Sequence, residues 1–327
     1  MSRKKRTGAA GGLLARVVAR HYLKKPELES LLDIKFPTWG SMWRAARNEF
    51  AFRRRRLRSH TVTQLNIELT NRCNLACLMC PVNRDMERER HDLEHDTFVR
   101  LIEENPKLDL ILMFQWGESL LVKDFYERVR VATDRGIRVM VTSNGTLLTE
   151  KVCGKLLDCG LDRITFSVDG CGETHERIRG FSYERLRENV ERLVRMRDDR
   201  GSDLGIDINM TLWEENEDEA EDVHEHWKDL VDRVQFIPRF VDAPRKTPCR
   251  ELWRGAMVVH SNGNVVPCCR DVEGELVLGN ANDTPLPEIF NGERMRKLRE
   301  RHRQGQWPRI CANCSEYETE KVSPRFS

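Results

Sequence analysis

The chain has 327 residues, 39% of them hydrophobic, and carries a formal net charge of +2. This length and composition allow buried cores in one large and one small domain, and they exclude a disordered chain. The near-neutral total conceals an asymmetry, because residues 1–60 contain sixteen Lys/Arg and four Asp/Glu, so that this segment carries +12 and the remainder −10. A basic arm on an acidic body suggests an anionic surface or partner for the arm.

Residues 1–60 are predicted to form a basic, helical N-terminal extension. Apolar and basic side chains fall on opposite faces over residues 13–24, a pattern typical of a helix that rests on an anionic membrane or packs against the body of the protein. The Arg53–Arg56 run is interpreted as a solvated face, and no specific nucleic acid partner is predicted. The apolar face of the helix consists of Leu13, Leu14, Val17, Val18 and Tyr22, opposite Arg16, Arg20 and Lys24.

The eleven cysteines are expected to face a reducing, cytoplasmic environment. No apolar run approaches the ~18 residues that a membrane span needs, and no cleaved signal is recognised. In such a compartment clustered thiols bind metal more often than they form disulfides. Cys153 and Cys159 fall on one predicted helix and are expected to face the core.

Strand-like and helix-like stretches alternate from residue 64 to 238. This alternation predicts a parallel sheet covered by helices, and six units predict an α/β fold with a partial (β/α)6 barrel in a domain spanning 61–240. The predicted strands are 64–69, 109–114, 137–142, 163–168, 205–212 and 233–237, and the predicted helices include 96–105, 123–135, 149–159, 183–199 and 217–231.

The pattern changes after Pro238, and residues 241–327 are predicted to form a small second domain. Two apolar runs, 256–261 and 265–269, flank an Asn262-Gly263 turn and predict a β-hairpin. A helix over 286–303 and a C-terminal CANC stretch complete this predicted hairpin and helix unit.

Three thiols follow the first predicted strand, in the stretch CNLACLMC at 73–80. The sites of parallel α/β sheets lie at the carboxyl ends of the strands, where QWGES, SNG and SVDG also fall. A structural zinc ion would need four ligands, whereas three thiolates on a 4Fe–4S cluster leave one iron open to a substrate or cofactor. A zinc knuckle remains the alternative on spacing alone.

This C-x3-C-x2-C loop, followed by those motifs on successive strands, closely resembles the radical S-adenosylmethionine (radical SAM) superfamily over residues 62 to 240. The resemblance implies that Cys73, Cys77 and Cys80 ligate a 4Fe–4S cluster whose fourth iron binds SAM. Two positions depart from the common pattern, since Met79 replaces a frequent aromatic residue and Trp116 and Ser119 flank the Gly-Glu pair. The residues implied to contact SAM are Met79, Gly117, Glu118, Ser143, Asn144, Ser167, Asp169 and Arg179.

A second cysteine set lies in the C-terminal part, where GNVVPCCRDVEGELVLGN resembles the SPASM/twitch extension of radical SAM enzymes. A structural zinc ribbon is the alternative interpretation. The resemblance implies one auxiliary 4Fe–4S cluster, whose role is to take an electron from a substrate radical. Its four ligands are then Cys249, Cys268, Cys311 and Cys314.

These resemblances predict an oxidoreductase that cleaves SAM to a 5′-deoxyadenosyl radical and oxidises a sugar or aminocyclitol carbinol, as aminocyclitol dehydrogenases with a similar cysteine spacing do. The substrate is expected to be a small molecule, and the reductant a flavodoxin- or ferredoxin-type protein. A peptide maturase, a radical epimerase and a non-catalytic zinc-binding or interaction protein are the alternatives. Cys171 and Cys269 are the candidate hydrogen donors that an epimerase would require.

Overall fold

A computed structural model describes residues 38–239 and 242–314. The predicted amphipathic helix at 13–24 lies outside the described residues. A single nine-stranded sheet runs through the described part, in the order β6-β5-β4-β3-β2-β1-β7-β8-β9. The strands are β1 Gln64–Ile67, β2 Leu110–Met113, β3 Arg138–Ser143, β4 Arg163–Ser167, β5 Gly205–Leu212, β6 Arg233–Pro238, β7 Ala256–Val259, β8 Asn264–Val266 and β9 Gly279–Asn280.

Strands β1 to β6 pair in parallel with their neighbours, and the sheet does not close on itself. The predicted partial α/β barrel is therefore confirmed. Every residue of β4 is buried, as expected for a central strand covered on both faces. The parallel pairing aligns the carboxyl ends of the six strands along one rim.

The helices cover the sheet with the apolar faces that their spacing predicts. In Tyr183–Asp199 the side chains of Leu186, Val190 and Leu193 are buried, and the Ser182 hydroxyl caps the first turn. The helices are α1 Trp39–Arg53, α2 His95–Glu103, α3 Phe125–Asp134, α4 Glu150–Asp158, α5 Gly172–Arg179, α6 Tyr183–Asp199, α7 Ala220–Trp227, α8 Glu251–Arg254, α9 Leu286–Phe290, α10 Glu293–Arg303 and α11 Arg309–Ala312.

Two predicted helices differ from the structure. The helix expected over 217–231 is a 3-10 turn, Glu217–Glu219, followed by α7. The helix expected over 286–303 is divided at Asn291, whose side-chain amide exchanges hydrogen bonds of 3.0 and 3.1 Å with the backbone of Ser59. The Asn291-Gly292 pair, a dipeptide typical of turns, separates α9 from α10, and the contact with Ser59 fixes it in place.

The predicted hairpin forms, with β7 and β8 antiparallel across Asn262-Gly263. Gly263 takes a positive φ of +85°, which a glycine adopts without strain. The hairpin does not stand apart, because β7 also pairs in parallel with β1, and Leu65 lies opposite Met257. The C-terminal residues thereby extend the barrel sheet. None of the helices in the described ranges is long and apolar enough to cross a membrane.

Candidate active site

Three thiols, those of Cys73, Cys77 and Cys80, line one cavity of about 330 Å³ at the carboxyl ends of the strands. Seven of the eight residues matched to SAM line the same cavity. The exception is Asp169, which is fully buried behind the wall. The seven are Met79, Gly117, Glu118, Ser143, Asn144, Ser167 and Arg179.

The loop that carries the thiols is held by side chains around it. Asn83 donates to the carbonyl oxygens of Cys73 at 3.0 Å and Leu75 at 2.7 Å, and the Arg84 Nε donates to the Cys77 carbonyl at 3.1 Å. The Asn144 amide nitrogen lies 3.8 Å from the Cys73 sulfur. The loop is therefore shaped by protein contacts, and the thiols are preorganised for a shared ligand.

Burial raises the pKa of all three thiols, and that of Cys80 reaches about 11. The Arg179 guanidinium, 4.0 Å from the Cys77 sulfur, partly opposes this rise for Cys77. Thiolates at such positions need a cationic centre to stabilise them, and ligation to iron or zinc supplies one. Cys153 and Cys159 show a similar rise without lying in the cavity, so the shared cavity and not the pKa marks these three cysteines as a donor set for a cluster.

Glu118 is fixed in the wall opposite the thiols. Its two carboxylate oxygens accept hydrogen bonds from the backbone of Asn144 at 2.7 Å and of Leu120 at 3.1 Å. Burial raises the pKa of Glu118, while those backbone donors act in the opposite direction. A carboxylate held this rigidly in a cavity is suited to receive a ligand ammonium group.

Asp169 and Arg179 form a buried ion pair beside the cavity. The Arg179 Nε and Nη2 lie 2.8 and 2.7 Å from one Asp169 oxygen, and the other oxygen accepts from the Thr211 backbone at 2.8 Å. Both Asp169 oxygens are thereby engaged by protein, so Asp169 orients Arg179 from behind. Arg179 alone of the pair reaches the cavity.

Gly117 is required where the second strand-end motif crosses the cysteine loop. Its φ is +94°, and an added Cβ would meet the carbonyl oxygens of Thr70 and Arg72, the latter at 2.8 Å. Backbone atoms cannot move aside as a flexible side chain can. The glycine therefore lets the Gly-Glu pair lie against the start of that loop.

A Gly117→Ala variant is expected to lose roughly 2 to 4 kcal/mol of unfolding free energy, from left-handed strain and the backbone clash together. Urea denaturation measures the loss. Gly136→Ala is the matched control, because Gly136 has a φ of +78° and nothing within 4 Å of an added Cβ. Equal losses of unfolding free energy in the two variants would show that close packing at Gly117 contributes nothing to stability.

The second cysteine set gathers around Arg245. This buried guanidinium donates to the Cys311 carbonyl at 2.9 Å and to the Cys314 thiol, and Cys249 lies within its electrostatic reach. Cys268 interacts electrostatically with Cys249 and Cys311. Three segments of the C-terminal part, namely the residues before α8, the loop after β8, and α11 with the residues that follow it, thus bring the four predicted ligands into one region.

Burial raises the pKa of Cys311 to about 11 and that of Cys268 well above the usual value. Thiols buried in this way bind as thiolates only where a cationic centre stabilises them, and the clustering of the four around Arg245 is what fits such a centre. Within residues 38–239 and 242–314, no group of three His, Cys, Asp or Glu side chains is arranged to hold a single metal ion.

Neither candidate hydrogen donor lines the cavity. Cys171 precedes α5 and is half-buried. The carbonyl of Cys269 accepts from the Gln115 side chain at 2.8 Å, which ties the second strand-end motif to the auxiliary cysteine loop. Cys153 and Cys159 are buried, as predicted.

A buried ion pair between Glu68 and Arg88 connects the two cysteine regions. Two parallel hydrogen bonds of 2.9 Å join them, and Glu68 also accepts from the Ser261 hydroxyl at 2.8 Å. The backbone of Arg88 donates to Glu273 at 3.1 Å. The segment after Cys80 is thereby fastened to the loop that follows Cys268.

Sequence reasoning missed several parts of these sites. Phe114 and Arg239 also line the cavity, and Trp116, which belongs to the predicted QWGES motif, presents an indole N–H that is buried without a partner in the described ranges. Phe114 and Arg239 directly follow β2 and β6, so their strand-end position is the signal that could have found them. Arg245 and the Glu68–Arg88 pair instead depend on contacts between segments far apart in the chain.

Two protein-family models match the chain. Residues 67–226 match the model described as the radical SAM superfamily, and residues 249–315 match the SPASM model, described as an iron-sulfur cluster-binding domain. The chain belongs to the radical SAM superfamily. Its two matched domains imply a 4Fe–4S cluster that binds SAM, together with auxiliary iron-sulfur binding in the SPASM region.

Among curated relatives, this radical SAM chain is 34% identical over 167 residues to an AdoMet-dependent heme synthase of Methanosarcina barkeri, a match to 50% of this chain and 46% of that protein. It thus matches less than half the length of that relative. It is 22% identical over 260 residues to the 2-deoxy-scyllo-inosamine dehydrogenase of Niallia circulans, covering 77% of this chain and 92% of that one.

The same fold occurs in the crystal structure of BtrN in complex with AdoMet and 2-DOIA. The TM-score is 0.57 at 19% identity, and the likeness covers 80% of this chain and 96% of BtrN. It shows the architecture of the radical SAM barrel with its C-terminal extension.

Proposed function

We propose that the chain is a radical SAM oxidoreductase that oxidises a carbinol carbon of a sugar or aminocyclitol, with an auxiliary 4Fe–4S cluster as electron acceptor. The observation that supports it is the division of the cysteines into two sets. Three thiols line the cavity with the Gly117-Glu118 pair, and four lie apart from it around Arg245.

In this proposal Cys73, Cys77 and Cys80 hold the SAM-binding cluster, and the missing fourth thiolate leaves an iron for SAM. With SAM bound and one electron added, this cluster would supply a 5′-deoxyadenosyl radical for abstraction of a hydrogen atom from substrate. Glu118 receives the ammonium group of the methionine moiety, because its carboxylate is held rigidly by backbone donors. Arg179 receives the methionine carboxylate, and Asp169 keeps it oriented.

Oxidation of a carbinol to a ketone releases one hydrogen atom, one proton and one electron. With four cysteine ligands, Cys249, Cys268, Cys311 and Cys314, the second cluster would have no open iron for substrate, so its part is to accept that electron. The similarity to the inosamine dehydrogenase supports the substrate class, because it extends over 92% of that protein. A flavodoxin- or ferredoxin-type protein in the cytoplasm supplies the initial electron.

The test begins with anaerobic purification and reconstitution. We expect brown protein with about eight irons per chain, from two cubanes of four, and slow release of 5′-deoxyadenosine after dithionite and SAM are added. Colourless protein that contains zinc and releases no 5′-deoxyadenosine would overturn the radical SAM assignment for this chain.

The substrate class is tested with 2-deoxy-scyllo-inosamine as the probe, deuterated at its carbinol positions. Deuterium is expected to appear in 5′-deoxyadenosine together with a ketone product. Release of 5′-deoxyadenosine that stays free of deuterium with a panel of such cyclitols and sugars, but becomes labelled by a deuterated peptide, would replace the dehydrogenase with a peptide maturase.

A further inference from the structure

Helix α1 exposes a row of aromatic side chains. Trp39 is 58% exposed, Trp43 66% and Phe50 47%. Their spacing of four and seven residues places them on one face of the helix. They are the only aromatic members of the six large hydrophobic side chains exposed in the described residues. The aromatic face of α1 is defined by these three residues.

The side of α1 that faces the protein combines polar anchors with the apolar contacts of Ala51 and Phe52. The buried Asn48 amide donates to the Thr61 carbonyl at 2.9 Å and accepts from the Ser59 hydroxyl at 2.8 Å. The Ser41 hydroxyl donates to Asp109 at 2.6 Å. An ordinary surface helix buries its apolar stripe and exposes its polar one. The exposure of three aromatic rings while Ser41 and Asn48 are buried departs from this pattern, which indicates that the aromatic face serves an external contact.

Arginines surround this face without acidic partners. Arg47, Arg54 and Arg56 form no ion pair among residues 38–239 and 242–314, and the guanidinium groups of Arg54 and Arg56 lie 5.5 and 4.9 Å from the Phe50 ring centroid. The neighbouring carboxylate of Glu49 is already bound by Arg53 and Arg250. Positively charged side chains therefore surround the aromatic face.

The positive charge around the aromatic face favours some binding partners over others. A second copy of this chain would bring like charges together. Residues 1–37 contain nine Lys/Arg and three Asp/Glu, so that segment has the same sign of charge as the arginines around α1. A complementary partner is anionic, and tryptophans bordered by arginines are characteristic of helices that lie in the interface of an anionic bilayer.

The position of α1 agrees with such docking. Its anchors Thr61 and Asp109 precede β1 and β2, so the helix lies at the amino ends of the strands, opposite the rim that carries the cavity. A surface bound there leaves the cavity accessible. We propose that the aromatic face of α1 docks this protein peripherally on anionic phospholipid, independently of its catalytic function and of residues 13–24.

Vesicle co-sedimentation of the full-length protein tests the proposal. Binding is expected to vesicles of phosphatidylcholine and phosphatidylglycerol in equal amounts, not to phosphatidylcholine alone, and to weaken as salt is raised. A Trp39→Ser, Trp43→Ser variant and an Arg47→Glu, Arg54→Glu variant are each expected to bind roughly tenfold more weakly or worse. Circular dichroism checks that both variants fold, since neither removes an inward anchor.

The matched controls are Leu121→Ser and Arg195→Glu, which alter exposed apolar and basic side chains elsewhere. Both are expected to bind as the unaltered protein does. Full binding by the α1 variants would assign the membrane contact to residues 1–37 and overturn the proposal. So would a tryptophan-dependent dimer without vesicle binding, or a preference for duplex DNA over the vesicles. Iron content and 5′-deoxyadenosine release are measured separately and do not decide the outcome.

Discussion

A Cys77→Ala variant is expected to release 5′-deoxyadenosine at least about a thousandfold more slowly than the unaltered protein, equivalent to roughly 4 kcal/mol in the activation free energy. With only Cys73 and Cys80 left in the cavity, the proposed SAM-binding cluster loses one of its three protein ligands. Iron content should fall by about half, from eight to four per chain in the two-cubane assignment. Iron assay and chromatography of the SAM products measure both changes.

Two further cysteine variants make this result specific. Cys311→Ala should also lose about half of the iron, yet keep the slow release of 5′-deoxyadenosine that needs only the first cluster. Cys153→Ala removes a fully buried thiol of α4 that belongs to neither set, and it should keep all of the iron. Unchanged iron and 5′-deoxyadenosine release in Cys77→Ala would contradict the ligand assignment.

An Arg88→Met variant is expected to lose about 3 to 5 kcal/mol of unfolding free energy, because it leaves the Glu68 carboxylate buried without its cationic partner. The side chains of Glu68 and Arg88 are 0% and 9% exposed, so water cannot replace the lost contacts. Urea denaturation of the variant and of the parent protein under the same anaerobic conditions measures the difference.

The control for this pair is Arg177→Met. Arg177 pairs with Glu215, but both side chains are about half exposed, so the expected loss is within about 1 kcal/mol. A Glu68→Gln, Arg88→Met double variant should recover part of the loss, since no uncompensated charge then remains. A loss in Arg88→Met as small as that in Arg177→Met would show that the pair does not fasten the two cysteine regions.

Much of the barrel could be predicted because its signals are local. Strands such as β4 are short, fully buried and contain β-branched residues, and α6 repeats its apolar side chains at helical spacing. The strand-end motifs were then brought together by the parallel topology alone. This is why seven of the eight residues matched to SAM share a cavity with the three thiols.

The structure differs from the sequence-based predictions where segments that are far apart in the chain come into contact. Asp169 follows a strand end like the other matched residues, yet its position behind Arg179 depends on a backbone contact from Thr211 on the next strand. The division between α9 and α10 falls at the Asn291-Gly292 turn signal, but the contact of Asn291 with Ser59 joins positions more than two hundred residues apart. Neither long-range partner can be recognised from the local sequence.

The two neighbours of β1 come from very different parts of the chain. β2 begins 46 positions after Gln64, whereas the pairing partner of Gln64 in β7, Ala256, lies 192 positions after it. During synthesis β1 therefore presents an unpaired edge until most of the chain has emerged, and such edges invite pairing between chains. A ribosome pause or truncation before residue 256 would leave β1 as an exposed edge strand that can pair with other chains. Pairing of β7 with β1 therefore also protects the barrel from aggregation.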